Sequence, residues 1–132
     1  MVPELSFDMG TLHHSRLFHR LIDRVDYDWI GEQAGQKAVE RLRQKRRPAY
    51  FKLLRRLRRE GETIVKARLQ ARSAGLDEII RFDVQFHYLL TKMWLAGQLH
   101  FAGIRMETPM EHAFAGLQSL FRMSLEPVAA QS

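Results

Sequence analysis

The chain contains no cysteine. Disulfides, thiolate nucleophiles, cysteine-based zinc sites and iron–sulfur clusters are therefore excluded together, and the composition suits a reducing compartment. Proline is scarce, at four residues in 132, and no Pro/Gly/Ser-rich linker, low-complexity tract or internal repeat interrupts the sequence. Long apolar runs are missing too. The most apolar stretch, Tyr88 to Ile104, is broken by Lys92, Gln98 and His100, whereas a membrane span needs about 20 predominantly apolar residues. Glu4 comes early, and no basic stretch leads into an apolar run, so no signal peptide is expected. The expected location is cytoplasmic.

Strand-like alternation is also lacking; apolar residues recur at helical spacing instead. The length is that of one domain, residues 1–132. A chain of this size buries roughly two thirds of its unfolded surface and can fold without a metal or a disulfide. The expected fold is all-α, a compact single-domain bundle of about five helices. The first runs from about Thr11 to Val25 on a stripe of Leu17, Phe18, Leu21, Ile22 and Val25. The second starts near Asp28, a plausible N-cap, and ends before Pro48. Gly31, Ala34, Gly35 and Ala38 fall in a narrow arc of it, which suits close helix approach and leaves a homodimer open; the alternative is a weak helix with glycines at its frayed start.

Pro48 suits the first position of a third helix, where its missing N–H is not needed. Tyr50, Leu53, Leu54 and Leu57 form the apolar side of that helix. Gly61 is a possible break, but Ile64, Val65 and Leu69 continue the stripe, so one helix to about Arg72 is an alternative. Asp77 and Glu78 open a fourth helix with the charge that an N-terminus favours. It runs to about Leu99 and has so narrow a polar strip that it is expected to be the central, most buried element. Thr108-Pro109-Met110-Glu111 has the form of a capping box, followed by Met110, Ala113, Phe114, Leu117 and Phe121 as a core stripe. A frayed tail is expected after about Glu126.

Charge is strongly segregated. Residues 40–72 carry thirteen Lys/Arg against three Asp/Glu, a basic module within a chain whose remainder is net acidic. Lys52, Arg55, Arg56 and Arg59 fill one arc of the third helix opposite its apolar side, with Arg43, Arg46 and Arg47 just before them. Guanidinium forks match phosphate oxygens, and a dense one-sided field of them suggests an anionic partner. The leading expectation is a small non-enzymatic regulatory or accessory protein that binds nucleic acid, DNA or RNA, through phosphate contacts of these seven residues. The alternative is a helical protein–protein adaptor that docks its basic face on an acidic protein surface.

A sequence-reading helix-turn-helix fits poorly: a trial at Ala71 to Val84 puts Arg81 where an apolar residue belongs. His13, His14 and His19 lack the i, i+4 spacing that places two imidazoles on one face, and no carboxylate cluster or Gly-rich phosphate loop accompanies them. No metal and no cofactor are expected. Asp83 and His87, four apart, are within reach of a hydrogen bond. This pair is half of a catalytic arrangement, or a histidine satisfied by its neighbour for packing.

Arg81 and His87 also loosely match the Arg-x(4–6)-His pattern of the helical HEPN ribonucleases. The resemblance covers two residues and departs from the pattern at Phe82, where a polar residue is usual; Arg105 and His112 give a second match. It implies an RNA-cleaving site lined by the arginine and histidine, often across a dimer, and takes third place among the readings. If Arg81 and His87 cut RNA, purified protein degrades RNA without metal and His87→Ala abolishes it. The expected result is no degradation above background.

Overall fold

The computed structural model describes residues 14–71 and 75–131, with side chains up to Met123. All secondary structure among the described residues is helical. A helical stretch at residues 14–21 (α1) precedes four helices, α2 (Arg24–Ala34), α3 (Gln36–Ala71), α4 (Leu76–His100) and α5 (Glu107–Gln131). The all-α expectation holds, while several boundaries move. The tail expected after Glu126 falls where side chains lie outside the described residues.

The largest change concerns α3, which continues without interruption past Pro48 and runs for 36 residues, about 54 Å at 1.5 Å per residue. An interior proline removes one backbone hydrogen bond and costs ~3 kcal/mol or more. Here Pro48 and Gln44, the residue whose carbonyl loses its donor, are both exposed. The chain breaks instead at Gly35, whose φ of 86° lies in a region open to glycine at little cost. The small-residue arc expected on one helix is therefore split between α2 and α3. Asp28 is not the cap of α2; Asp23 is, its carboxylate accepting from Val25 N–H at 3.0 Å. After the Gly35 break α2 folds back along α3, with Arg46 Nη2 donating to Asp26 Oδ2 at 2.7 Å and Gly31 close to Val39.

Burial corrects a second expectation. α4 lies between α3 and α5, but it buries only one face, with Ile79, Phe82, Phe86, Met93, Ala96, Gly97 and His100 on it. Leu76, Ile80, Val84, Tyr88, Leu95 and Leu99 are 41–64% exposed and share the opposite side. The expected core side chains of α3 and α5 are buried as a set, from Tyr50 to Leu57 and from Met110 to Phe121. Phe18 of α1 stacks on Phe114 of α5 with centroids 4.2 Å apart. The capping box is displaced: α5 begins at Glu107, so Thr108 sits inside its first turn, and the Met106 carbonyl accepts Met110 N–H at 3.0 Å. Pro109 still falls where no intrahelical N–H is required.

Two glycines set the α3–α4 seam. Gly61 is not a break; it lies buried inside α3 with the Phe86 ring directly against its Cα, so that a methyl group there would overlap the ring. Gly97 of α4 receives the Tyr50 ring in the same way, and Tyr50 Oη donates to the Met93 carbonyl at 2.7 Å. Gly61→Ala and Gly97→Ala are each expected to lower stability by about 1–3 kcal/mol through overpacking, although alanine is the better helix former by about 1 kcal/mol. Chemical denaturation checks this, and an unchanged or raised midpoint would contradict the close-contact account.

Candidate functional site

Because α3 is one helix, its cations combine into a single ridge. At about 100° per residue, Lys37, Arg41, Lys45, Lys52, Arg55, Arg56, Arg59 and Lys66 fall within about 100° of the helix circumference, and all eight are exposed. The acidic residues of α3, Glu40, Glu60 and Glu62, fall outside that arc. From Lys37 to Lys66 the ridge extends about 44 Å. Lys37, Arg41, Lys45 and Lys66 extend the cluster that the sequence pattern centres on Lys52. A helix boundary at Pro48 would hide their alignment.

The three flanking arginines are placed differently from the ridge. Arg46 is mostly covered, paired with Asp26 and lying over the Tyr27 ring at 5.2 Å. Arg43 lies over the other side of the same cluster, 5.6 Å from the Tyr27 centroid. Arg47 Nη2 donates to Gln98 Oε1 at 2.9 Å across the α3–α4 seam, with its guanidinium 5.5 Å from the Phe51 ring. Arg46 and Arg47 thus tie α3 to its neighbours, whereas Lys52, Arg55, Arg56 and Arg59 project outward.

Beside the ridge runs a groove of ≈ 570 Å³ between α3 and α4. Phe51, Leu54 and Leu90 supply apolar lining, and Arg47, Arg55 and Arg58 line the α3 side. His87, Thr91, Trp94 and Gln98 line the α4 side, and no carboxylate lines it. Trp94 is 49% exposed. The sequence pattern puts Trp94 on a buried surface, near the middle of the broad α4 apolar arc, and no signal in the sequence sets it apart. Arg55 belongs to both the ridge and the groove.

Asp83 and His87 do meet, but on an open surface. His87 Nδ1 lies 2.8 Å from the Asp83 carbonyl and 3.2 Å from Asp83 Oδ1, and both side chains are about half exposed. With Nδ1 engaged, Nε2 is the nitrogen left for a ligand. Arg81 is exposed on α4 about 120° around from His87, so within one chain the two do not converge. Residues 72–74 of the helix-turn-helix trial at Ala71 to Val84, and His13, lie outside the described residues. Among the described residues no group of three or more His, Cys, Asp or Glu could hold a metal. No helix among them is long and apolar enough to cross a membrane.

His100 carries no signal in the sequence that would single it out. It is buried at the C-terminal end of α4 against Tyr27 and Phe101, with Glu107 Oε1 3.9 Å from Nδ1. Loss of solvation lowers its pKa below the ordinary 6.5; Glu107 opposes this, and Arg43 and Arg46 add to it. Comparisons with known protein families, with curated proteins and with solved structures found no match to the chain.

Burial of neutral His100 has a consequence for stability. Below pH 6.5 the unfolded chain binds a proton at this residue that the folded chain takes up only at lower pH. Its stabilising share is thus present above pH 6.5 and is lost as the pH falls toward the folded-state pKa. His100→Gln is expected to show a smaller fall in unfolding midpoint between neutral and mildly acidic pH than the wild type. Parallel pH dependences in the two proteins would rule this contribution out.

Proposed function

We propose that this chain is a non-enzymatic accessory protein that binds nucleic acid through its phosphate backbone, using the exposed basic ridge of α3. The single observation behind this reading is the continuity of α3 through Pro48, which brings eight exposed cations onto one face free of acidic residues. A row about 44 Å long exceeds one turn of duplex, about 34 Å, and can meet phosphates along that length. The mechanism is neutralisation with release of condensed counterions, which gives affinity with little base discrimination. Arg43, Arg46 and Arg47 hold the ridge in place through Tyr27, Asp26 and Gln98 more than they extend it.

A second reading, the helical adaptor, has its own observation. The exposed apolar side of α4, from Leu76 to Leu99, belongs to the helix that forms the groove wall opposite the arginines, a combination that suits an amphipathic acidic helix. Competition by generic duplex separates the two, because only a nucleic-acid binder is saturated by it.

The quadruple change of Lys52, Arg55, Arg56 and Arg59 to glutamine tests the ridge. Glutamine is a good helix former and the four positions are exposed, so the fold is expected to survive. Affinity for unrelated duplexes should fall by similar factors. The logarithmic salt slope should shrink by roughly two to four units, at about 0.9 for each phosphate that is no longer neutralised. If folded wild-type protein binds neither DNA nor RNA at low salt, the reading fails and the adaptor takes its place.

A further inference from the structure

The groove between α3 and α4 has a chemistry that the ridge alone does not need. A duplex keeps its bases stacked inside and offers phosphates, which the lysines and arginines of the ridge already suit. The groove adds a half-exposed indole, Trp94, facing three guanidinium groups across an apolar floor. Arg47 closes one end by bonding Gln98, and Arg58 and His87 stand toward the other. From Arg47 to Arg58 the α3 wall extends about 16 Å, room for a short stretch of extended strand.

Each lining group matches one part of an unpaired nucleotide. Bases stack on indole faces and on planar guanidinium groups with little sequence preference. Arg55 presents donors to phosphate, and Arg58 shares its guanidinium with Glu62 at 3.2 Å in an exposed pair, which another anion can enter at small cost. Gln98, with its Oε1 accepting from Arg47, retains its N–H2 for a base carbonyl. Thr91 and His87 Nε2 add a hydroxyl and an imidazole acceptor. The absence of any carboxylate from the lining favours an anionic occupant. Arg55, shared by ridge and groove, makes the phosphate track of one continuous with the other.

From this we infer that the α3–α4 groove binds a short single-stranded segment of nucleic acid, with bases stacked at Trp94 and phosphates at Arg55 and Arg58. The inference rests on the nucleic-acid reading of the ridge and specifies the strand form that it engages. It makes the chain bind unpaired strands in preference to duplex, which the ridge alone engages. It also assigns Trp94 a role that the core does not require of it.

The test uses the full chain carrying Trp29→Phe. Trp29 is 61% exposed, and its replacement leaves Trp94 as the sole tryptophan. Oligothymidylate and oligouridylate are titrated at fixed salt beside a duplex of equal length, with Trp94 fluorescence and fluorescence anisotropy of the labelled strands read together. Single strands are expected to quench Trp94 saturably and to bind more tightly than the duplex. With Trp29 retained, Trp94→Ala should weaken single-strand binding by about tenfold, the share of one stacked base. It should leave duplex binding unchanged, which also reports that the variant is folded. Trp94→Phe, which keeps a ring, should recover part of that affinity. If the duplex binds but single strands bind no better, or Trp94→Ala weakens both alike, the groove inference is overturned while the ridge reading stands. If neither form binds, both fall. Quenching by an acidic amphipathic peptide and not by oligonucleotides would overturn the inference in favour of the adaptor.

Discussion

Tyr50 of α3 lies on Gly97 of α4, and Phe86 of α4 lies on Gly61 of α3. Each helix gives the other one aromatic ring and one bare Cα, about 16 Å apart along α3. The Tyr50 hydroxyl then bonds the Met93 carbonyl, satisfying the one polar atom that the contact buries. Burial raises the Tyr50 pKa well above its ordinary value, so the phenol stays protonated and keeps donating. A slip of one residue in either helix would bring a Cβ under a ring. The exchange fixes where α4 sits along α3, and the groove that carries Trp94 and Arg55 is laid out between these two contacts.

The rigidity of the seam matters because the outer surface of α3 gives it no support. A face of eight like charges repels itself, and exposed charges of one sign contribute to solubility and steering rather than to folding. The helix is held from the other side, by the buried Tyr50, Leu53, Leu54, Leu57 and Ile64 and by the return of α2. Asp26 neutralises Arg46, and the Tyr27 ring packs against Arg46 and Arg43 near the N-terminal half of α3. His14 of α1 bonds Glu60 at 2.7 Å and ties the C-terminal half in turn. A partly covered ion pair at one end and a hydrogen bond at the other thus brace the two halves of a helix whose basic face stays exposed.

Phosphate tracking and base stacking ask different things of a surface. The first needs charge at intervals along a line and tolerates imprecise placement, because counterion release has little directional demand. The second needs a planar face held open at a fixed distance from the charges, which only a packed seam supplies. On the proposed reading, α3 offers the line alone, and α3 with α4 offers the face. The apolar side of α4 that stays exposed stands next to both, and α5 packs on the other flank of that helix.

The sequence by itself determined the helical class, through apolar spacing, and the buried sets of α3 and α5, whose stripes are strictly one-sided. It also determined that Lys52, Arg55, Arg56 and Arg59 share a face opposite the leucines, because that follows from helical period alone. Local signals were less decisive where tertiary contacts outweighed them. Pro48 reads as a helix start, yet packing of the leucines beyond it and solvent access for Gln44 carry the helix through. Thr108 reads as a cap, yet Met106 provides the start of α5. Gly61 leaves a break and one helix to about Arg72 both open; the continuous helix is the one formed, and only the Phe86 ring from a helix 25 residues away in sequence explains why a glycine belongs there. The apolar residues of α4 cover too much of its circumference for sequence to say which side faces inward. That choice was made by Gly97 and Phe86 meeting α3, and it put Trp94 at the rim of a basic groove instead of in the core.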